Sequence, residues 1–177
     1  KYRIKVVCKK PLTNTSHMFY DCSCLTFLDL SHFNSSNLTD TNGMFHNCTS
    51  LTTILLMNFN SNNVKTMTNM FRDCTSLTEL DLSSLNRSNV KNMNGMFRDC
   101  SSLTKLDLSN FTTINVTAMN GMFYNCSSLT ELKIQTFNTS KVTDMSGIFY
   151  KCSSLVELKL SNFNTDNITA MNGMFYN

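Results

Sequence analysis

The stretch MFRDCSSLTKLDLS, residues 96–109, sets Cys100 between an aspartate and two serines, a few positions ahead of a leucine run. Alone, that cysteine has four readings: nucleophile, metal ligand, half of a disulfide, or core. The rest of the chain decides among them, because the stretch recurs. Cys22, Cys48, Cys74, Cys100, Cys126 and Cys152 lie 26 residues apart. Met18-Phe19, Met44-Phe45, Met70-Phe71, Met96-Phe97, Met122-Phe123, Ile148-Phe149 and Met174-Phe175 keep the same step. All five glycines, Gly43, Gly95, Gly121, Gly147 and Gly173, share one column, with Asn69 filling its gap. Eleven of the twelve methionines and twelve of the thirteen phenylalanines fall in four columns, and no insertion breaks the register. An unbroken register of this kind specifies a solenoid.

Two periods alternate within a unit. Leu103, Leu106, Leu108 and Phe111 follow L-x-x-L-x-L-x-x-F, in which Leu106 and Leu108 share one face of a strand. Val90, Met93, Met96, Phe97 and Cys100 step by three, three, one and three, which predicts one stripe of a helix, with Ser88 or Asn89 as its N-cap. The expected architecture is an α/β solenoid with one short parallel strand and one short helix per 26-residue repeat. Stacking buries the apolar side of each element, with the strands in one sheet and the helices on the opposite wall. Residues 1–17 read as a partial, degenerate repeat, 18–173 as six repeats, and 174–177 as the start of another. Back-counting by 26 aligns Tyr2 with Leu28, Ile4 with Leu30, Val7 with Phe33 and Leu12 with Leu38. Neither end carries a polar capping unit, which suggests a segment of a longer array.

The six ladder cysteines therefore read as small buried hydrophobes. A catalytic thiol needs a partner base, yet the residue before the cysteine changes from Asp99 to Asn125 to Lys151. Zinc ligands cluster four to a site rather than one per coil. Parallel stacked side chains point the same way, which disfavours disulfide geometry. Cys8 and Cys24 lie off the ladder, so a disulfide pinning the first coils stays open as one option, free thiols as the other. His17, His32 and His46 fall in three columns and do not converge on a metal.

Composition narrows the function. A net charge of +3 is too small to argue for nucleic acid. The longest apolar stretch, around Ile54 to Met57, is far too short to span a bilayer. Charged residues make up only 15%, and Asn, Ser and Thr fill the difference. No His, Asp or Glu constellation suggests an enzyme, and no cofactor is expected. Ten N-x-S/T sequons occur, among them Asn14, Asn86 and Asn125, which a composition rich in Asn, Ser and Thr generates by chance. Asn34, Asn60, Asn86, Asn138 and Asn164 form a column after the strand, where the side-chain amide is expected to bond loop backbone.

The unit M-F-x-x-C-S-S-L-T-x-L-D-L-S-x-F-N-x-S-N-V-T-x-M-x-G resembles the BspA-like leucine-rich repeat surface proteins, from about Tyr2 to Asn177. It looks closest to the branch described as bacterial surface lipoproteins. The first coil departs from the pattern, with Thr41 for the column methionine and Cys24 for serine. The resemblance implies a leucine-rich-repeat type fold, an extracellular or cell-surface location, and adhesion or host-protein binding. It carries no catalytic residues.

Function in a repeat array is expected where the repeat is broken on an exposed face. Strand residues pointing outward form columns: Lys1, Phe27, Thr53, Glu79, Lys105, Glu131, Glu157; then Arg3, Asp29, Leu55, Asp81, Asp107, Lys133, Lys159; then Lys5, Ser31, Met57, Ser83, Ser109, Gln135, Ser161. Phe27, Leu55 and Met57 form an apolar cluster in otherwise polar columns, suited to a partner or to a covering cap. Asp29, Asp81 and Asp107 are candidate partner contacts beside it, although a solvated face with weak cross-strand pairs accounts for them as well. Tyr20, His46, Arg72, Arg98, Tyr124, Tyr150 and Tyr176 form a column expected to stack over the core edge. Two roles follow. One is a non-enzymatic surface or secreted module whose sheet meets a protein or glycan ligand. The other is a structural spacer or assembly subunit, with self-association open to either.

Overall fold

Aliphatic side chains at alternate positions make five short strands among the described residues: β1 (Tyr2–Lys5), β2 (Leu25–Asp29), β3 (Thr53–Leu55), β4 (Lys105–Asp107) and β5 (Glu131–Lys133). They belong to a computed structural model that describes residues 2–8, 10–85 and 89–177. All pair in parallel, β1-β2-β3 in one sheet and β4-β5 in another. Leu28 opposite Ile54 and Leu106 opposite Leu132 reproduce the 26-residue step, and all four point into the core. The expected single sheet is interrupted: Glu79–Asp81 forms no strand, and Leu80 is only partly buried.

The first coil also departs from the back-counted register. Ile4 lies opposite Leu28 and Lys5 opposite Asp29, so Tyr2–Leu28 and Ile4–Leu30 are not partners. The 26-residue register returns at Asn14, which bridges Asp40. The chain thus reaches the opposite wall in two residues fewer than later coils use. It cuts a corner at the end of the stack, leaving Ile4 40% and Val7 62% exposed.

The predicted helices are absent from the described residues. In their place each coil makes overlapping tight turns. Within the second coil the amide of Met44 donates to Thr41 O, that of His46 to Gly43 O and that of Cys48 to Phe45 O, at 3.0–3.2 Å. The intervening amides of Thr41, Gly43, Phe45 and Asn47 donate to Thr66, Thr68, Met70 and Arg72 O in the next coil. Isolated parallel bridges run from Asn14 through Asp40, Thr66, Asn92, Ala118 and Asp144 to Ala170, so this wall too is a ladder. Left-handed residues break any helix: Gly43 (φ 56°) and Asn47 (φ 62°) here, Gly95 (φ 58°) and Asp99 (φ 60°) two coils on. Left-handed backbone costs most residues roughly 1–2 kcal/mol, and Gly, Asn and Asp least. Of the two proposed N-caps, Ser88 lies outside the described residues. Asn89 instead donates its side-chain amide to Asn62 O at 3.0 Å, clamping one coil to the last.

Between the walls the apolar columns fill a continuous core. Phe19, Phe45, Phe71, Phe97, Phe123, Phe149 and Phe175 stack with centroids 5.2–5.8 Å apart. Each fully buried Phe, Leu or Met contributes roughly 1.5–3 kcal/mol relative to exposure. The Asn column after the strand behaves as expected. Asn34, Asn60, Asn138 and Asn164 accept, through Oδ1, the amides of Ser36, Asn62, Ser140 and Asp166. Asn86 lies outside the described residues. Thr113 and Thr139 are buried polar residues whose hydroxyls each bond both the amide and the carbonyl of one residue in the following coil.

Because the coils from Asn14 onward meet through the same 26-residue register, deleting Met96 to Gly121, one full unit, is expected to leave a folded, shorter stack with a cooperative melt. Deleting 13 residues sets strand wall against turn wall and should unfold the array around the deletion. Circular dichroism melts of the two proteins check this, and equal behaviour would contradict the register.

Candidate functional site

The buried side of each coil answers the question posed by Cys100. Cys48, Cys74, Cys100, Cys126 and Cys152 are buried. Their thiols donate to Phe19, Phe45, Phe71, Phe97 and Phe123 O in the preceding coil at 3.1–3.2 Å. Burial pushes the Cys48 thiol up to about 12 and that of Cys152 to about 11, and drives Cys74, Cys100 and Cys126 well above the ordinary value. Such thiols are poor nucleophiles. Cys22 departs from the ladder: at the end of the stack it is half-buried. Cys8 and Cys24 are free thiols, the first half-buried and the second exposed, and no bridge joins them.

On the outer side of the turn wall, Tyr124, Tyr150 and Tyr176 stack at 4.3 and 4.8 Å, and the Arg98 guanidinium lies 4.0 Å from the Tyr124 ring centre. The stack fits because the neighbouring column is glycine: a Cβ on Gly147 would stand 3.3 Å from the Tyr124 ring. Nearer the N-terminus Tyr20 meets His46 edge-on at 5.0 Å, and Asp73 accepts from both His46 Nε2 and Arg72 Nε. His17 bonds Ser16 and His32 bonds Ser31. Among the described residues no group of three His, Cys, Asp or Glu side chains could hold a metal ion.

The strand face carries the candidate contacts. Phe27 on β2 lies opposite Thr53 on β3, and Asp29 opposite Leu55, which brings Phe27 and Leu55 diagonally together on adjacent strands. Both are half-buried, while Met57, just past β3, is 72% exposed. Phe27 also lines an open hollow of about 690 Å³ with Thr26, Ser50, Thr52 and Thr53. The shifted first coil puts Lys5, not Arg3, beside Asp29, and Arg3 opposite Phe27; Lys1 lies outside the described residues.

The aspartates have a local role that the sequence reading missed. Asp29 accepts the Ser31 hydroxyl and amide, Asp107 those of Ser109, and Asp81 the Ser83 amide. These bonds hold all three carboxyls below their usual range; the Ser31 and Ser109 hydroxyls dominate at Asp29 and Asp107, the Ser83 amide at Asp81. The signal was present in the chain, as D-L-S at 29–31, 81–83 and 107–109. Leu55 and Met57 replace Asp and Ser together, yet the turn still forms, with Phe59 N donating to Leu56 O at 2.9 Å as Phe33 N does to Leu30 O. Asp107 is also paired, to Lys133 at 3.2 Å, so the stretch is less acidic than the columns suggested.

The thiol geometry makes a prediction. Native protein should label slowly at Cys74, Cys100 and Cys126 and quickly at Cys24, with all eight reacting once denatured; fast native labelling of Cys100 would contradict its burial. The folded Cys48 thiol is raised while the unfolded thiol stays near 9.0, so its contribution to stability is intact below pH 9 and falls as pH rises toward about 12. Cys48→Ala should flatten part of that alkaline loss while costing about 1 kcal/mol at neutral pH.

Known proteins bear on this arrangement. The leucine-rich repeat protein of T. pallidum superposes with a TM-score of 0.53 at 18% identity, over 88% of this chain and 78% of that one, which shows the leucine-rich repeat fold. A leucine-rich repeat protein from Eubacterium ventriosum gives 0.48 at 18% identity, over 81% of this chain and 41% of that one. One from Bacteroides ovatus gives 0.38 at 17%, over 96% and 56%. No curated protein matches the chain. Residues 13–129 and 100–177 match the family described as "Mycoplasma protein of unknown function, DUF285", and the chain belongs to that family.

Proposed function

We propose that this chain is a non-enzymatic binding module of a surface-exposed or secreted protein, which presents its strand face to a protein or glycan partner through Phe27, Leu55 and Met57. The observation that carries this reading is the joint replacement of a turn-forming Asp and Ser by Leu55 and Met57. The turn is kept without them, so local folding gives no reason for two apolar side chains there. Apolar area left in water forgoes roughly 25 cal/mol per Å² of burial, which favours a covering partner. A spacer would do as well with Asp and Ser at these positions. The leucine-rich repeat fold supports the reading by bringing strand-side residues of successive coils next to one another on one face.

The test is a triple variant, Phe27→Ser, Leu55→Ser, Met57→Ser, compared with the parent on arrays of extracellular proteins and glycans. An intact melt with binding reduced at least about tenfold is expected, the loss of a few buried anchors being worth that much. Unchanged binding by a folded variant moves the site elsewhere. Loss of a dimer in sedimentation, with no ligand for the parent, assigns the patch to self-association.

A further inference from the structure

The strand face is uneven in charge. Toward the C-terminus Lys105 reaches Glu131 at 3.6 Å, Lys133 holds Asp107 at 3.2 Å and Glu131 at 3.5 Å, and Lys159 meets Glu157 at 3.6 Å. Glu79 and Asp81 stand in the coil next to Leu55 and Met57 and are exposed. Among the described residues neither has an ion pair. Lys105 shares the column of Glu79 one coil further on but turns the other way, to Glu131. On the N-terminal side of the patch, by contrast, Lys5 lies beside Asp29. The apolar patch is therefore bordered on one side by two carboxylates that no cation pairs among the described residues.

Resting on the binding role above, we propose that the patch receives a polypeptide segment whose apolar anchors are flanked by Lys or Arg. The anchors cover Leu55 and Met57 while a neighbouring cation meets Glu79 and Asp81. The dimensions agree: coils are stacked about 4.8 Å apart and an extended chain rises about 3.3 Å per residue, so a basic residue one or two positions from an anchor reaches the next coil. A neutral glycan brings no cation to this border, and an anionic one is repelled by it. The charge pair sets specificity and encounter rate, and the apolar anchors supply most of the affinity.

Three fluorescein-labelled heptapeptides test this on the full chain by anisotropy: Lys alternating with Leu and Phe, and the same peptide with Ser or with Glu in place of Lys. The expected order of affinity is Lys, then Ser, then Glu. Glu79→Gln with Asp81→Asn keeps the turn acceptor and should weaken the Lys peptide about tenfold, as should raising salt to 0.5 M, while leaving the Ser peptide unchanged. Equal affinity for the Lys and Glu peptides, or a Lys peptide indifferent to the double variant, overturns the proposal, as does preference for a sulfated glycan over all three. Leu55→Ser with Met57→Ser separates the two readings. If it abolishes Ser-peptide binding while charge has no effect, the patch stands and its charged border does not. If it leaves the Lys peptide bound, the patch itself fails.

Discussion

The whole stack depends on amides of the turn wall that leave their own coil to bond the next one. Thr15, His17, Phe19 and Asp21 donate to Asp40, Asn42, Met44 and His46 O, and the same offset recurs down the array. An α-helix would spend those donors internally, four residues back. Two left-handed residues per coil, four positions apart, turn alternate amides outward instead. The tolerance of Gly, Asn and Asp for that conformation thus decides whether coils can be joined at all. Lys151, at φ 54°, shows that the position yields to other residues when its neighbours hold the register.

Close coupling of coils leaves little room for unpaired polar groups inside, and the unusual composition follows from that. The Cys thiol fits a slot beside the Phe ladder and donates weakly to a Phe carbonyl of the preceding coil; Phe45 O, for example, takes the Cys74 thiol and also accepts the amide of Cys48 in its own coil. Alanine would leave that second lone pair without a donor, and serine would ask a stronger donor to sit in apolar surroundings. Threonines do similar work at the surface: Thr52, Thr104 and Thr130 donate to Thr26, Thr78 and Thr104 O, one coil to the previous one. A chain of low charge and high Asn, Ser and Thr content therefore has its polar groups committed to holding itself together.

Much of this was legible in the chain. The 26-residue columns identified the core, and Leu106, Phe97 and Cys100 are buried where the pattern put them. A helix is the wrong reading because consecutive tight turns also step by three, as from Val90 to Met93 to Met96 and from Phe97 to Cys100, and a stripe of apolar residues does not distinguish the two. The glycine column, with Asp or Asn before each of Cys22, Cys48, Cys74, Cys100 and Cys126, held the information, since left-handed tolerance at fixed spacing contradicts a helix. Cys22 is less covered than its sisters because the first coil stacks through a shortened path. At the strand face, Leu55 and Met57 stood out by type alone. That Glu79 has no cation among the described residues while Asp107 has one depends on which way Lys105 and Lys133 turn, and side-chain direction across coils is not written in a column.

The direction of the turn-wall bonds has an electrical consequence. Of the N–H groups there, those at the positions of Thr15, His17, Phe19 and Asp21 point toward the C-terminal coil, and the C=O groups that accept them point toward the N-terminal one. Peptide dipoles of about 3.5 D aligned this way add along the axis, as they do in a helix, but with the opposite sense relative to the chain: the positive pole faces the C-terminal direction. These four positions form a row of like-oriented dipoles, side by side within a coil and head to tail between coils. Each added coil lengthens this axis, reduced by one reversed bond such as that from Lys65 N–H to Thr39 O, so backbone geometry adds a field at the ends of a stack beside that of its few charged side chains.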